Sequence, residues 1–312
     1  MRARRPETCP SFEPEPRPPD FVGGATAGTL HGVSELPTFD LLELEQCDAS
    51  TSFRMPARPA LCTPFGFLYG GSGIAASAEA SERATGRPLQ WITTQFLGSP
   101  APGSVVELEV NVAVTGRASS QTQVSGTVDG ELVFTSLCAH NVRPGGDEHV
   151  FSEMPDVPPP DECEAFGEPF GLDGTPSFFD SLDRRVAVGT IRFDPEDPGF
   201  GQPQDGGVAM WCRIVDDEVG SPATQGFVAD LGPLAVCARL GLPLGGTSLD
   251  NTIRVVDPDP SDWVLLELGA DSVQRSVGHS TVRVWARDGR LLGLAQQSAI
   301  IRTSHHTRPS PG

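Results

Sequence analysis

The sequence predicts an α+β chain built from two copies of one domain, each a long antiparallel sheet wrapped around a central helix. Three segments of the first half recur in the same order in the second half, at a constant offset of 159 residues. The paired segments are PLQWITTQF (88–96) with TSLDNTIRV (247–255), Ser72–Ala84 with Leu231–Pro243, and DGELVFTSLCAHNVR (129–143) with DGRLLGLAQQSAIIR (288–302). Recurrence at one offset indicates duplication of a single structural unit.

The first copy begins with a helix and continues as strands. Gly70 and Gly71 precede the Ala-rich segment Ser72–Ala84, and Gly86 follows it, so the pattern predicts a helix of three to four turns. The run from Val106 to Val112 alternates apolar and polar residues, which is typical of a strand in a sheet with one covered face. Further strands are predicted at 119–128 and 132–142, joined by a hairpin turn at Asp129–Gly130.

The second copy has the same order of elements. Pro233 stands at a first-turn position after Asp230, and Gly241 ends the predicted helix. Strands are predicted at 263–269, 279–286 and 291–301, with Asp288–Gly289 as the matching turn. The predicted division of the chain is a Pro-rich disordered tail (1–30), an N-terminal domain (31–143), a linker rich in Pro, Gly and acids (144–176), a C-terminal domain (177–303) and a short tail (304–312).

Charge and residue usage exclude several classes of function. The formal net charge of −19 argues against partners such as nucleic acid and anionic membrane surfaces. All 22 Lys or Arg residues are Arg, which excludes Schiff-base chemistry, a Walker-type phosphate loop and a Ser–Lys dyad. The seven cysteines form no CxxC pair, and an odd number of unpaired thiols is typical of a cytoplasmic protein. No metal site, cofactor or membrane-spanning segment is expected.

Residues spread over both copies resemble the TesB-type family of double-hotdog acyl-CoA thioesterases, over roughly 36–303. The segments that carry the likeness are Tyr69-Gly70-Gly71, Met154-Pro155-Asp156-Val157-Pro158, Phe227-Val228-Ala229-Asp230-Leu231, Thr247-Ser248-Leu249-Asp250, Asp262-Trp263-Val264-Leu265-Leu266 and Asp288-Gly289-Arg290-Leu291 leading to Gln297 and Arg302. The resemblance implies two tandem hotdog domains that hydrolyse a fatty acyl-CoA without a covalent intermediate.

The family uses an Asp, a Gln and a Ser or Thr from the second hotdog. By resemblance, Asp250 matches the Asp and Gln297 the Gln, while Asp271 stands where the family has Thr. A one-residue slip would restore the hydroxyl through Ser272; without a slip, Asp271 adds an acid to the substrate site. The backbone amides of Gly70, Gly71 and Ser72 precede the first helix and are candidates to face the thioester oxyanion.

Structural alternatives remain for each of these residues. Asp250 could be a turn or cap residue, and Gly70–Gly71 could be a tight turn. Strand alternation turns only one of Gln296 and Gln297 inward, and the resemblance favours Gln297. At the offset of 159, Trp91 and Cys138 occupy the places of Asp250 and Gln297 in the first copy, so one of the two quasi-equivalent sites is expected to be catalytic.

Two other functions fit the same fold. The replaced hydroxyl position and the extra acid motivate a catalytically inactive module that binds acyl-CoA or acyl-carrier protein. An enoyl-CoA hydratase needs an Asp–His dyad, and Asp250 is followed by Asn-Thr-Ile-Arg-Val, which disfavours that activity. The resemblance also suggests dimerisation, although no residue in the sequence identifies an interface.

Overall fold

A computed structural model describes residues 36–47, 49–143, 145, 148–166, 174–192, 196, 199–242 and 246–301. The strands of the first copy and the short ones before it are β1 (Glu45–Gln46), β2 (Ser52–Pro56), β3 (Cys62–Thr63), β4 (Phe67–Leu68), β5 (Leu89–Phe96), β6 (Val105–Thr115), β7 (Ser119–Val128) and β8 (Glu131–Asn141). The later strands are β9 (Glu164–Ala165), β10 (Leu182–Val188), β11 (Val208–Ile214), β12 (Gly246–Val255), β13 (Val264–Gln274), β14 (Val277–Ala286) and β15 (Leu291–Ile301). The helices are α1 (Gly70–Thr85), α2 (Pro222–Ala229) and α3 (Pro233–Leu240).

One antiparallel sheet of 13 strands runs through both copies. Its order is β1-β2-β6-β7-β8-β5 from the first copy, followed by β12-β15-β14-β13-β11-β10-β9 from the linker and the second copy. The two halves join where β5 pairs with β12. Counted outward from this junction, the strands follow in equivalent order on both sides, with one additional strand, β9, at the end of the second half. The predicted α+β fold of two long sheets, each packed on a central helix, is therefore confirmed.

The junction of β5 and β12 carries an approximate twofold axis. Thr93 and Thr252 are 159 residues apart, pair directly, and place their hydroxyl oxygens 2.9 Å from each other. The register on either side of the axis is also duplicated. Asn251 pairs with Gln297 in the second copy as Ile92 pairs with Cys138 in the first. Residues 159 positions apart in the sequence therefore also occupy equivalent positions in the pairing of the strands.

Helix α1 is the central helix of the first copy and is buried on all sides. Every residue from Gly71 to Glu82 is buried, because Ala, Gly and Ser allow both the sheet and α2 to approach closely. Two carboxylates lie on this helix, and each accepts a backbone N–H. Glu79 accepts from Phe39 at 2.9 Å, and Glu82 accepts from Leu89 at 2.8 Å. Buried carboxylates are tolerated when they are hydrogen-bonded in this way.

The central helix of the second copy is interrupted. Pro233 begins α3 and has no N–H to continue the hydrogen-bond ladder of α2, so the chain breaks between Ala229 and Pro233. Gly241, at φ 64°, ends α3 in the left-handed conformation. The helix predicted from a first turn at Pro233 to Gly241 is confirmed as α3, but the sequence did not predict α2, so two short helices flank Asp230.

The linker packs against the second half of the sheet, and the predicted hairpin turn is present. Met154 and Val157 pack on the outer face of the second sheet, over Trp211, Trp263 and Trp285. The Asp129–Gly130 hairpin turn is present, with φ 51° and 82° at its two residues. The predicted tails at 1–30 and 304–312 lie outside the described residues, as do Arg302 and parts of the 144–176 linker. The domain boundaries themselves stay predictions.

Candidate active site

The break between α2 and α3 places one carboxylate, Asp230, inside the protein. Asp230 is 6% exposed, and its Oδ1 accepts two side-chain amides, from Asn251 at 2.8 Å and from Gln297 at 2.7 Å. The backbone N–H of Gly71, in the first turn of α1, also hydrogen-bonds this carboxylate. Since Gly71 belongs to the first copy and the two amides to the second, both copies hold the same acid.

Gln297 connects Asp230 to a hydroxyl group. Its Nε2 donates to Asp230 Oδ1 and to Ser248 Oγ, the second at 2.8 Å, and the side chain is 3% exposed. Its Oε1 has no partner among the described residues, although it is buried. Because Ser248 Oγ accepts from Gln297, its own hydrogen is available to a group in the adjoining space.

Burial changes the acidity of Asp230. Removal from water raises the pKa of this carboxyl to about 7, and the hydrogen bonds from Asn251, Gly71 and Gln297 oppose that rise. A carboxylate with a pKa near neutrality can both take a proton from water and return it. Asp230 therefore has the acidity expected of a general base.

A cavity of about 240 Å³ lies beside Asp230 and Ser248. Its wall is largely apolar and comes from both copies and from the segment before β10: Thr63, Pro64, Phe65, Phe67, Leu68, Tyr69, Gly70, Phe96, Leu97, Gly98, Ser99, Phe178, Phe179, Leu231, Pro233, Leu234, Cys237, Gly246, Thr247 and Leu249. An apolar cavity with a few polar groups at one end suits a ligand with an apolar chain and one reactive group.

Tyr69 fixes the geometry where the two copies meet. Its ring stacks on Phe178 at 3.8 Å between centroids, and its hydroxyl donates to the Phe227 carbonyl at 3.0 Å. The next residue, Gly70, has no room for a side chain, because a Cβ would lie 2.5 Å from Asp230 Oδ2. Glycine is thus required where α1 begins against Asp230.

The structure corrects the predicted role of Asp250. Leu249 forms a bulge in β12, pairing resumes at Asp250 with Ser298, and the Asp250 carboxylate accepts the Ser298 backbone N–H at 3.0 Å. This turns Asp250 to the outer face of the sheet, away from the side chain of Gln297. The predicted Asp250–Gln297 pair is not formed; Asp230 occupies that place.

The predicted hydroxyl and its neighbour also lie elsewhere. Ser272 and Asp271 are both exposed on β13, at another bulge, and Asp271 shares a shallow outer-face depression with Asp250 and His279. The hydroxyl that accepts a hydrogen bond from the Gln297 side chain is that of Ser248. The structure thus brings together an Asp, a Gln and a hydroxyl, namely Asp230, Gln297 and Ser248.

The predicted amide donors divide into two groups. Ser72 is buried away from the cavity, with its N–H bonded to the Tyr69 carbonyl and its hydroxyl to Leu61. The backbone N–H of Gly71 is already hydrogen-bonded to the Asp230 carboxylate. Gly70 lines the cavity, and within the described residues its N–H has no acceptor. Of Gly70, Gly71 and Ser72, only Gly70 has an amide available to a ligand.

The structure turns one of the two neighbouring glutamines inward, while a catalytic role for it stays a prediction. Gln297 faces inward and Gln296 is exposed on the outer face, as strand alternation requires. The sequence does not identify Asp230 as a site residue, because Asp230 precedes a predicted helix, where an acid is common. One signal was present in the sequence: at the offset of 159, Asp230 falls on Gly71, beside the glycine pair that was already a candidate.

The first copy has no equivalent of this site. At the same offset, Asp230, Ser248, Asn251 and Gln297 correspond to Gly71, Leu89, Ile92 and Cys138. These residues offer no carboxylate and no amide side chain. Across the described residues, no group of three or more His, Cys, Asp or Glu could hold a metal ion.

Comparison with known proteins agrees with the fold. Residues 160–301 match the family described as acyl-CoA thioesterase C-terminal domain. No curated protein matches the chain significantly. Helices long and apolar enough to cross a membrane do not occur in the described part of the chain.

Solved structures of similar proteins cover most of the chain. A proposed thioesterase from Novosphingobium aromaticivorans is 28% identical, with 83% of this chain and 98% of that chain covered and a TM-score of 0.73. A hot dog fold protein of unknown function from Alicyclobacillus acidocaldarius is 20% identical, covering 86% and 99%, with a TM-score of 0.73. The TesB protein of Mycobacterium avium subspecies paratuberculosis is 19% identical, covering 85% and 97%, with a TM-score of 0.68.

The fold and the matched family define a hotdog thioester hydrolase. Within that class, the chain is similar to TesB-type double-hotdog thioesterases, over 160–301 in sequence and over most of its length in fold, as the resemblance in the sequence predicted.

Proposed function

We propose that this protein hydrolyses a fatty acyl-CoA to the free acid and CoA, using water that Asp230 activates. One observation carries the proposal: a buried carboxylate with a pKa of about 7 lies at the wall of an apolar cavity and is held by three amide donors. The family matched by 160–301 supports the thioester substrate.

In the proposed reaction, the acyl chain lies in the cavity and its carbonyl carbon lies next to Asp230. Water hydrogen-bonded to Asp230 and to the unpartnered Oε1 of Gln297 attacks that carbon, and Asp230 takes the water proton. The oxyanion that forms is stabilised by the free N–H of Gly70, at the positive end of α1. Collapse of the tetrahedral intermediate breaks the carbon–sulfur bond, and the thiolate takes the proton back from Asp230.

Ser248 supports this reaction without acting as the nucleophile. A nucleophilic serine needs a base that accepts its proton, and the hydrogen bond recorded at Ser248 Oγ comes from Gln297 Nε2, which is a donor. The Ser248 hydrogen can instead be donated to the attacking water. This favours direct hydrolysis over an acyl-enzyme intermediate.

A thiol-release assay over a series of acyl-CoA chain lengths tests the proposal. We expect turnover for at least one range of chain lengths and none in Asp230→Asn. Binding of acyl-CoA without turnover at any length would identify the protein as an inactive acyl-CoA-binding module. Burst-free kinetics with quenched samples that contain no acyl-protein adduct would agree with direct attack by water.

A further inference from the structure

A bulge in β12 turns two polar side chains toward the same carboxylate. In a regular strand, residues two apart share a face, so Ser248 and Asn251 would lie on opposite faces. The extra residue Leu249 shifts the register between Ser248 and Asp250, and both Ser248 and Asn251 then face inward. The bulge therefore places Asn251 beside Asp230, on the same face of the strand as the Ser248 hydroxyl.

Asn251 is fully buried and makes a single recorded side-chain hydrogen bond. Its Nδ2 donates to Asp230 Oδ1 at 2.8 Å, whereas its carbonyl oxygen Oδ1 has no partner among the described residues. A buried amide oxygen without a partner lowers stability, whereas an apolar side chain of similar size would carry no such cost. Packing alone does not account for an asparagine at this position.

The first copy shows which residue the fold accepts at the equivalent position. Ile92 pairs with Cys138 in β5 and β8 as Asn251 pairs with Gln297 in β12 and β15. The bulge is duplicated too, between Leu89 and Trp91. Ile92 is fully buried in the core, so an apolar side chain satisfies this place in the sheet. The polar residue occurs only in the copy that contains Asp230.

We propose that Asn251 is a positioning residue that holds Asp230 Oδ1, presents Oδ2 to the cavity and favours the ionised carboxylate. The inference rests on the proposed function, in which Asp230 is the base. Oδ2 is the oxygen that lies against Gly70, 2.5 Å from the point where a Cβ would stand. With Oδ1 accepting from Asn251 and Gln297, Oδ2, which lies against the cavity-lining Gly70, is the oxygen left to accept a water proton.

The side chains around Asp230 make the ionisation of its carboxyl sensitive to the hydrogen bond from Asn251. Among the described titratable groups, the Tyr69 phenol, from the segment before α1, interacts with Asp230, and the Cys237 thiol lines the same cavity from α3. Strands β12, β14 and β15 contribute the neutral side chains of Ser248, Ser280 and Gln297. Burial raises the pKa of Asp230, and Asn251 is the largest of the influences that lower it.

The test is the pH profile of kcat/KM in Asn251→Ile, the residue found in the first copy. We expect the apparent pKa to rise by about one to two units, because a hydrogen bond to a charged group is lost. Turnover should fall about tenfold or more below neutral pH and approach the wild-type value in alkali. A merely structural role would lower turnover equally at every pH, and that result would overturn the inference.

A matched control comes from the next residue of the same strand. Thr252 faces outward and its hydroxyl pairs with Thr93, so Thr252→Val should leave the pH profile unchanged. If Asn251→Ile does not fold, Asn251→Asp keeps the shape and places a second carboxyl against Asp230. That variant should also raise the apparent pKa, because two adjacent carboxylates resist ionising together. An unchanged profile in it counts against the inference.

A measurement independent of turnover separates the inference from the proposed function. The carboxyl carbon of Asp230 can be titrated by NMR in protein labelled with ¹³C-aspartate, with Asp230→Asn identifying its signal. A raised pKa in the Asn251 variant supports the inference even if no acyl-CoA is hydrolysed, and then only the proposed function fails. An unchanged pKa in an active variant overturns the inference alone.

Discussion

Gln297 Nε2 lies 2.7 Å from Asp230 Oδ1, although the two residues are 67 positions apart and belong to different elements, a strand and the break between two helices. This contact connects the base to Ser248 and joins the sheet to the helix layer. Each of the following predictions tests one part of the arrangement around it.

The identity of the acid is tested by a pair of variants. Asp230→Asn should lower kcat/KM by about 10²-fold or more, because an amide cannot take the water proton. Asp250→Asn should retain activity near the wild-type value, since Asp250 faces outward and an amide oxygen can still accept the Ser298 N–H. Steady-state thiol release measures both. The reverse ranking of the two variants would restore Asp250 as the base.

Adjacent glutamines give a second matched pair. Gln297→Ala removes the group that contacts both Asp230 and Ser248, and we expect kcat to fall about 10²-fold with the fold intact. Gln296→Ala changes an exposed residue on the opposite face and should have little effect. Activity assays combined with circular dichroism separate loss of function from loss of structure. Equal activities in the two variants would contradict the site.

The raised pKa of Asp230 has opposite consequences for activity and stability. The ionised form is the base, so kcat/KM should rise with pH through about 7. Stability changes in the other direction. The folded state holds a proton on Asp230 over a range where the unfolded chain has released it, so the free energy of unfolding decreases as pH rises from about 4 to about 7.

It follows that Asp230→Asn should be inactive and more stable than the wild type above neutral pH. The gain is at most on the order of 4 kcal/mol and should vanish in acid. Urea unfolding at several pH values measures it. A smaller pH dependence should remain in the variant, because burial also raises the pKa of Glu82 to about 7. A variant that is less stable than the wild type in alkali would contradict this prediction.

Gly232 tests the steric fit of the site without straining the backbone. Its φ and ψ of −49° and −41° are ordinary for alanine, but a Cβ would lie 2.5 Å from Ser280 Oγ and 3.2 Å from Gln297 Oε1. Gly232→Ala should therefore displace Gln297 and lower kcat by about tenfold or more. Removing the hydroxyl in Gly232→Ala with Ser280→Ala should restore part of the loss. No rescue would mean that the displacement has another cause.

Tyr69→Phe tests the link between the two copies. The variant keeps the ring that stacks on Phe178 but leaves the buried Phe227 carbonyl without its donor, so we expect a loss of about 1–3 kcal/mol in the free energy of unfolding. Tyr69 is the only tyrosine of the chain. Burial raises its pKa well above the usual value, so absorbance should detect tyrosinate in the wild type only as the protein unfolds.

The sequence predicted the fold well because strand alternation, turn residues and the repeat are local or periodic signals. The helix of the second copy was less predictable. Pro233 is typical of a first turn, but the sequence does not predict the helix that ends at Ala229. Its eight residues, PATQGFVA, include Pro, Gly, Thr and Val, which have low helix propensity, and this helix packs against α1. The break between these helices is where Asp230 enters the site.

The site was half predictable for a related reason. Gln297 followed from regular alternation in β15, whereas Ser248 and Asn251 depend on the Leu249 bulge, which reverses the faces expected for the residues before it. With alternation assumed, Asp250 and Ser248 fall on one face and cannot be told apart. A bulge is a property of pairing between strands, so no residue of β12 alone reveals which side faces the cavity.

The Thr93–Thr252 axis joins two halves that a single chain encodes separately. In a symmetric dimer of identical hotdogs, every mutation appears on both sides of such an axis. Here the first half has Gly71 at the position of Asp230, and the Gly71 N–H contacts the acid of the second half. The hairpin of β3 and β4, from the first half, lines the same cavity as Asp230. Choice of substrate and chemistry can therefore evolve independently within one polypeptide.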